Sequence, residues 1–328
     1  MIEASLPGSR IRLTDVSPRD GLQSFPRMVS TGDKLKLVNS LIRAGFQSIE
    51  VTSFARPDVV PQLADAESLV KLLPRDNGVE YRALVPNVKG ANRAIDSGID
   101  TIVALTTASD TYTEKNQNAT AKVVLSRAAD VVRICRDEGI PCDVGIGMAF
   151  FDPYDGATPP SRVLHSIEVL IDAGAQAITL ATSVGVADPW QVKQLCQLVK
   201  TDWPELDLGL HLHNTNGLAL ACAYAAAEVG VDRFEGAIAG IGGGIAMPHG
   251  MGAVGNVPME DLVNLFNAIG CHVGLDTRRV VECAKEVTDL LGISPSSFAA
   301  RGGTREAVLD AGMAAMKAKG DRPLREEG

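Results

Sequence analysis

Two histidines stand two residues apart in the run GLHLHNTNG, His211 and His213, in a chain that holds five histidines among 328 residues. If that run is a strand, period-two alternation points both rings to one face. Two imidazoles on one face invite a divalent cation; a pair of satisfied polar side chains is the bland alternative. Asp20, in the run SPRDGLQ, is the candidate carboxylate to join them. Asn256, at the end of the long loop GIGGGIAMPHGMGAVGN, is the candidate amide oxygen. Such a mixed nitrogen and oxygen set, with positions left open for water or substrate, suits Mg2+, Mn2+ or a similar ion rather than a closed structural zinc site.

A second group surrounds this one. Arg19 precedes Asp20, and Glu50 is a lone charge in the apolar run IEVTSF. A charge on a core strand needs a partner, and Arg19 is the natural one for Glu50. A guanidinium beside a metal carboxylate would stabilise a developing enolate or carboxylate oxygen, whereas a surface ion pair would contribute little. Lys115 and Asn116, in the run TEKNQN, read as loop residues that could meet an anionic ligand.

These residues are far apart in the chain, so the elements that carry them must converge. Eight short β-rich runs recur, over residues 11–16, 48–54, 80–85, 101–107, 142–149, 177–183, 206–212 and 233–239. Their starts are spaced by roughly thirty residues, the size of one βα unit. Amphipathic helical patterns lie between them, at 33–44, 120–138, 160–173, 190–201, 218–229 and 259–269, and several stop at a glycine such as Gly45, Gly139 or Gly174. Alternating β and α units imply a parallel sheet. Eight of them favour closure into an α/β (β/α)8 TIM barrel, with the polar residues above clustered at the C-terminal ends of its strands, where active sites of such barrels lie. An open doubly wound sheet is the rival, but no GxGxxG turn follows the first run. Residues 1–275 are therefore expected to form the barrel. Residues 276–328, with helical patterns at 277–291 and 304–319, are expected to be a helical extension packed on it rather than a separate domain.

Composition narrows the function. Lys and Arg number 31 against 40 Asp and Glu, for a net charge of −9, which argues against a nucleic-acid binder driven by phosphate contacts. No apolar run is long enough to span a bilayer, and the first residues lack a signal-peptide layout. The six cysteines are scattered without a CxxC pair, as in a reduced cytoplasmic protein.

The runs SPRDGLQ, IEVTSF, PNVKG, ASDTYTEKNQN, HLHNTNG and the glycine loop ending in GN, in this order, resemble the 3-hydroxy-3-methylglutaryl-CoA lyase family of metal-dependent barrel lyases. The resemblance runs from about residue 10 to residue 275 and agrees with the barrel. It implies that Asp20, His211, His213 and Asn256 hold Mg2+ or Mn2+, with His211 also close to the chemistry. It implies that Arg19 polarises a thioester carbonyl and that Glu50 orients Arg19 and the substrate hydroxyl. It gives Lys115 and Asn116 the CoA side of the substrate. The implied reaction is a metal-assisted retro-Claisen cleavage of a 3-hydroxyacyl-CoA; for hydroxymethylglutaryl-CoA the products are acetyl-CoA and acetoacetate. A homodimer is implied too.

The chain departs from the family pattern in places. The family loop reads GxGGCP, with a catalytic cysteine; here Gly244 stands at that position and the loop is longer. LGDTxG becomes LATSVG, and HxHDTYG becomes HLHNTNG. His249, in the remodelled loop, is the candidate replacement acid or base. The acyl group itself is open, and a citramalyl- or methylmalyl-type thioester would keep the same chemistry. A condensing synthase is disfavoured by the short extension after the barrel. An aldolase on 4-hydroxy-2-oxo acids shares the HxH layout, and a pseudoenzyme that binds metal or CoA without turnover is the non-enzymatic reading.

Overall fold

Eight short runs of aliphatic and β-branched residues close into one parallel barrel. In chain order its strands are β1 Arg12–Asp15, β2 Ser48–Ser53, β3 Glu80–Val85, β4 Thr101–Thr107, β5 Cys142–Gly147, β6 Ala177–Thr182, β7 Asp207–Leu212 and β8 Arg233–Gly236. Each pairs in parallel with its neighbours in sequence. β8 returns to β1 with Arg12 opposite Arg233, and β1 meets β2 at Asp15 and Ile49. The computed structural model describes residues 6–243 and 255–318.

The strands fall on the eight runs expected, with shorter ends for a physical reason. The first stops at Asp15 because Ser17–Gly21 winds into a π-helical turn. The eighth stops at Gly236 because Ile238–Gly240 tightens into a 3-10 turn with Ala239 at φ 58. Both departures lie at the C-terminal rim and re-aim the chain there; π turns are frequent at functional sites.

The helices are α1 Thr31–Ala44, α2 Ala66–Leu72, α3 Val88–Asp96, α4 Asp110–Gln117, α5 Ala121–Glu138, α6 Pro160–Ala173, α7 Pro189–Asp202, α8 Ala219–Ala227 and α9 Met259–Ala268, followed by α10 Thr277–Leu291, α11 Phe298–Gly302 and α12 Arg305–Ala318. Side chains cap the starts of several: Ser30 accepts from the Asp33 amide and Asp188 from the Gln191 amide. The α1 stop at Gly45 has φ 103, a conformation only glycine adopts without strain. α10 buries Val280, Ala284, Val287 and Leu291 in the main core. α12 departs from the expected packing. Residues 305–317 are all exposed, and an ion pair from Arg278 to Asp310, at 2.9 Å, ties the helix to α10. Among the described residues no helix is long and apolar enough to cross a membrane.

The barrel interior is not filled by aliphatic side chains alone. Asp143 of β5 bonds to the guanidiniums of Arg82 from β3 and Arg233 from β8, and Thr179 of β6 donates to its Oδ2 at 2.8 Å. Arg233 also reaches the carbonyls of Ile178 and Asp207, at 3.2 and 3.1 Å. Gly209 on β7 makes room for it, since a Cβ there would sit 2.8 Å from the Arg233 Cζ. Burial pushes the Asp143 carboxyl up, but Arg233 and Arg82 outweigh it and hold the group below the usual carboxylate range. Removing one partner of a buried charge cluster leaves the others uncompensated. Asp143→Asn is therefore expected to lower the unfolding free energy by about 3–5 kcal/mol, read as a fall in the urea midpoint. A variant as stable as the parent would show that backbone carbonyls suffice for both arginines.

Candidate active site

The π turn after β1 drives two ionised side chains into the mouth of the barrel. Arg19 and Asp20 are both buried. Arg19 Nε donates to Glu50 Oε1 at 2.5 Å and Nη2 to Oε2 at 3.2 Å, while Nη1 donates to Asp20 Oδ1 at 2.7 Å. Glu50 comes from β2, so one guanidinium ties together the first two strand ends. Burial alone would disfavour the Arg19 charge, but Glu50 and Asp20 raise its pKa above the ordinary arginine value. Burial also pushes Asp20 up, and Arg19, His213 and His211 together pull it below the usual range. Glu50 behaves differently: burial is the main cause and leaves its carboxyl raised despite Arg19.

His211 lies on β7 and His213 just beyond its end, both facing inward. Their Nε2 atoms are 3.1 Å apart. His211 Nδ1 meets Glu235 Oε2 of β8 at 2.9 Å. Burial pushes Glu235 up, but the His211 bond and Arg82 bring its carboxyl below the usual range, so it is an ionised acceptor. His211 Nδ1 must then donate, and a neutral ring keeps its Nε2 lone pair aimed at the mouth. Burial lowers the His211 pKa and the Glu235 bond raises it, with a net rise. Glu235 was not flagged in the sequence; its position two residues past Arg233 on the inward face of β8 was the available signal.

Asn256 arrives from the far side of the glycine loop. The segment from Gly255 crosses the end of β7: Asn214 donates to the Gly255 carbonyl and Val257 to the Leu212 carbonyl, each at 2.8 Å. This places Asn256 opposite His213. Asn256 Nδ2 donates to Asp20 Oδ2 at 2.6 Å and to the Ile241 carbonyl at 3.0 Å. Gly242 has φ 136, and a Cβ there would overlap the Asn256 amide. Two further carboxylates anchor this loop from below. Asp15 accepts from the amides of Ser17 and Ile238, at 2.9 and 3.1 Å, and Glu260 accepts from the Ala239 amide at 2.9 Å. Burial is the main cause that raises Asp15 to about 7 and Glu260 to about 8.

The structure thus brings Arg19, Asp20, Glu50, His211, His213 and Asn256 to one rim. Lys115 and Asn116 lie apart from them, exposed on α4. They are on a helix, not the expected loop, because Ser109 caps its start by accepting from the Tyr112 amide. Lys115 Nζ sits 5.0 Å from the centre of the Tyr154 ring. Gly244 and His249 lie outside the described residues.

The rim residues fit a divalent cation. Asp20, His211 and His213 each offer a ligand atom, all within 4.8 Å of one another. Asn256 Oδ1 is buried with no hydrogen-bond partner among the described residues, a position that costs about 1–3 kcal/mol unless something else is bound. Hard oxygens and imidazole nitrogens without a thiolate suit a Mg2+-like or Mn2+-like ion.

Known proteins resemble the chain over most of its length. Residues 10–287 match the HMGL-like family model. The chain is 34% identical over 292 residues to the 3-hydroxy-3-isohexenylglutaryl-CoA/hydroxy-methylglutaryl-CoA lyase of Pseudomonas aeruginosa, covering 89% of this chain and 96% of that protein. It is 35% identical over 293 residues to the (R)-citramalyl-CoA lyase of Chloroflexus aurantiacus, covering 86% and 91%. The crystal structure of hydroxymethylglutaryl-CoA lyase from Pseudomonas aeruginosa superposes with a TM-score of 0.85 at 32% identity, covering 94% of this chain and all of that one.

Two expectations follow from the site. Glu235→Gln cannot hold His211 as an ionised acceptor does, and should weaken divalent-cation affinity about 10–100-fold in calorimetric titration of metal-stripped protein; unchanged affinity would show that other contacts hold the ring. The raised carboxyls of Asp15 and Glu260 stay protonated in the folded state after the unfolded chain has released those protons near pH 4. Their contribution to stability is therefore complete below about pH 4 and is lost as pH rises toward about 8. Melting temperatures from pH 5 to 8 should decline less steeply in Glu260→Gln than in the parent; parallel curves would remove Glu260 from this account.

Proposed function

The chain belongs to the HMGL-like family, and from that membership we propose that it is a carbon–carbon lyase that cleaves a 3-hydroxyacyl-CoA thioester to acetyl-CoA and a keto product. Hydroxymethylglutaryl-CoA, yielding acetoacetate, is the first substrate of this reading. A citramalyl- or methylmalyl-type thioester is the second, favoured by the identity to a citramalyl-CoA lyase being as high as that to the hydroxymethylglutaryl-CoA lyase. The observation that carries the proposal is the meeting of Asp20, His211, His213 and Asn256 beside the Arg19–Glu50 pair at the C-terminal rim.

Asp20, His211, His213 and Asn256 would hold Mg2+ or Mn2+. When bound, such an ion supplies Lewis-acid charge that stabilises negative oxygen in the transition state. Arg19 does complementary work. Its contacts to Glu50 and Asp20 use three of its N–H donors, and a guanidinium has five. The two left over can meet the thioester carbonyl as it gains enolate charge. Because Glu50 and Asp20 hold the group in place, no reorganisation is needed when that charge develops. Loss of the 3-hydroxyl proton lets the C2–C3 bond break, its electron pair passing into the enolate, which is then protonated at C2. Glu50, with a raised pKa and both oxygens accepting from Arg19, is the candidate to orient that hydroxyl. Glu235 keeps His211 in the tautomer that offers Nε2.

Lys115 and Asn116, exposed on the helix that follows β4, are the candidates for the CoA side of the substrate. His249, from its place in the sequence, is the candidate acid or base. The resemblance further supports a homodimer, the scattered cysteines without a CxxC pair support a cytoplasmic setting, and the acidic composition argues for no nucleic-acid partner.

The test is direct. Metal-loaded protein mixed with hydroxymethylglutaryl-CoA and citramalyl-CoA should release acetyl-CoA, followed by mass. Arg19→Met should lower kcat about 100–1,000-fold. Arg19→Lys should recover little, since an ammonium cannot make the paired contact to Glu50. Failure of the parent to cleave any 3-hydroxyacyl-CoA would defeat the lyase reading.

A further inference from the structure

The mouth of the barrel has two unlike halves. β7, β8, β1 and β2 carry the histidines, Glu235, the Arg19–Asp20 turn and Glu50. The other half is built from β3 to β6. Its inner face is identified by the residues that bond across the barrel: Arg82, Asp143 and Thr179. Alternation then puts Leu84, Gly145 and Ala181, each two residues nearer the mouth, on the same face. Leu105 joins them, because it pairs in register with Gly145. Ala181 pairs in register with His211, so this wall begins beside the candidate metal ligands.

All four residues are partly exposed, while their outward-facing neighbours Ala104, Val144, Ile146 and Leu180 are buried under the helices. Their exposure therefore comes from inside the barrel, and open space lies over an apolar wall. Among the described residues, the arginines that face the interior are already engaged: Arg19 by Glu50 and Asp20, Arg82 and Arg233 by Asp143. Arg82 and Arg233 are thus taken up by Asp143, and the two N–H donors left on Arg19 belong to the other half of the mouth.

Gly145 sharpens the point. Its φ is not positive, so its backbone does not demand glycine. A Cβ there would lie 3.5 Å from Leu105 Cδ1 and 3.7 Å from the Ala104 carbonyl, which is ordinary contact. Glycine inside a strand weakens it and often marks the approach of a ligand. Here neither conformation nor packing calls for it, and its effect is to leave space beside Leu105.

We propose that this wall is the acyl-specificity surface of the enzyme, and that it accepts an uncharged aliphatic branch on C3 longer than methyl, with Gly145 setting the depth. The inference rests on the lyase reading above and narrows its substrate class. A hydrocarbon branch fits because it would displace water from apolar surface without stranding a polar group. A charged branch on this side would be desolvated with no cation to meet it.

Two thioesters decide it: 3-hydroxy-3-methylglutaryl-CoA and the analogue with n-butyl in place of the methyl. The parent should cleave the butyl compound with kcat/KM at least equal to that for the methyl one. Gly145→Val fills the space and should lower the butyl-to-methyl ratio at least tenfold. Leu105→Ala enlarges it and should raise the ratio, and that variant carries the test if Gly145→Val does not fold. A parent that prefers the methyl compound more than tenfold, or a ratio unmoved by the folded variants, overturns the pocket while the lyase reading stands. Release of acetyl-CoA from neither thioester overturns both.

Discussion

Charge buried inside a closed barrel must be matched locally, because water cannot do it. Four carboxylates, Asp20, Glu50, Asp143 and Glu235, share the interior with three guanidiniums, Arg19, Arg82 and Arg233. Each ion has an opposite partner: Arg19 joins Glu50 to Asp20, its neighbour in the same turn, and the other acids meet arginines from other strands. Asp143 anchors Arg82 and Arg233 at the lower level. Glu235 stands 3.9 Å from Arg82 and bonds to His211. Above them Arg19 spans Glu50 and Asp20. The carboxyl groups outnumber the guanidiniums by one, and the rim that holds Asp20 also holds two imidazoles and an amide oxygen. Such an interior attracts a cation, and the place that would receive it is the rim.

The same network explains why the site is rigid enough to act. Arg19 and His211 owe their orientation to carboxylates that are themselves buried and bonded, not to loop packing. Paired buried groups specify one arrangement, as the bonds of Arg19 to Glu50 and Asp20 do, while Glu235 Oε1 and Asn256 Oδ1 lack a hydrogen-bond partner among the described residues. The glycine loop is held by other means. Asp15 and Glu260 accept backbone amides on either side of the 3-10 turn, and Ala239 takes a left-handed conformation between them. The loop thus starts from a defined point before it returns as the segment that delivers Asn256.

The polar half and the apolar half of the mouth divide the labour of recognition. Charge lies where a thioester carbonyl and a hydroxyl would be activated, and aliphatic surface lies where substituents would be sorted. This division follows from the barrel itself. Each strand offers only its inward residues, so neighbouring strands can differ wholly in chemistry without disturbing the fold.

The sequence alone determined the strand count, the order of the elements and the ligand candidates. Alternation and helix stops are local signals, and HLH on a strand has only one way to face. SPRDGLQ and IEVTSF also announced Arg19, Asp20 and Glu50, because charges amid apolar runs need an explanation. Only the tertiary structure decided that Glu235 braces His211, that Asp143 gathers two arginines, and that Asn256 crosses to His213. Those pairs are separated by 24 to 90 residues or rest on a loop returning across a strand end, and no spacing rule links such positions. The apolar wall was hidden for a related reason. Leu84, Leu105, Gly145 and Ala181 look like ordinary core residues in sequence, and only closure of the barrel shows that space, not packing, lies in front of them.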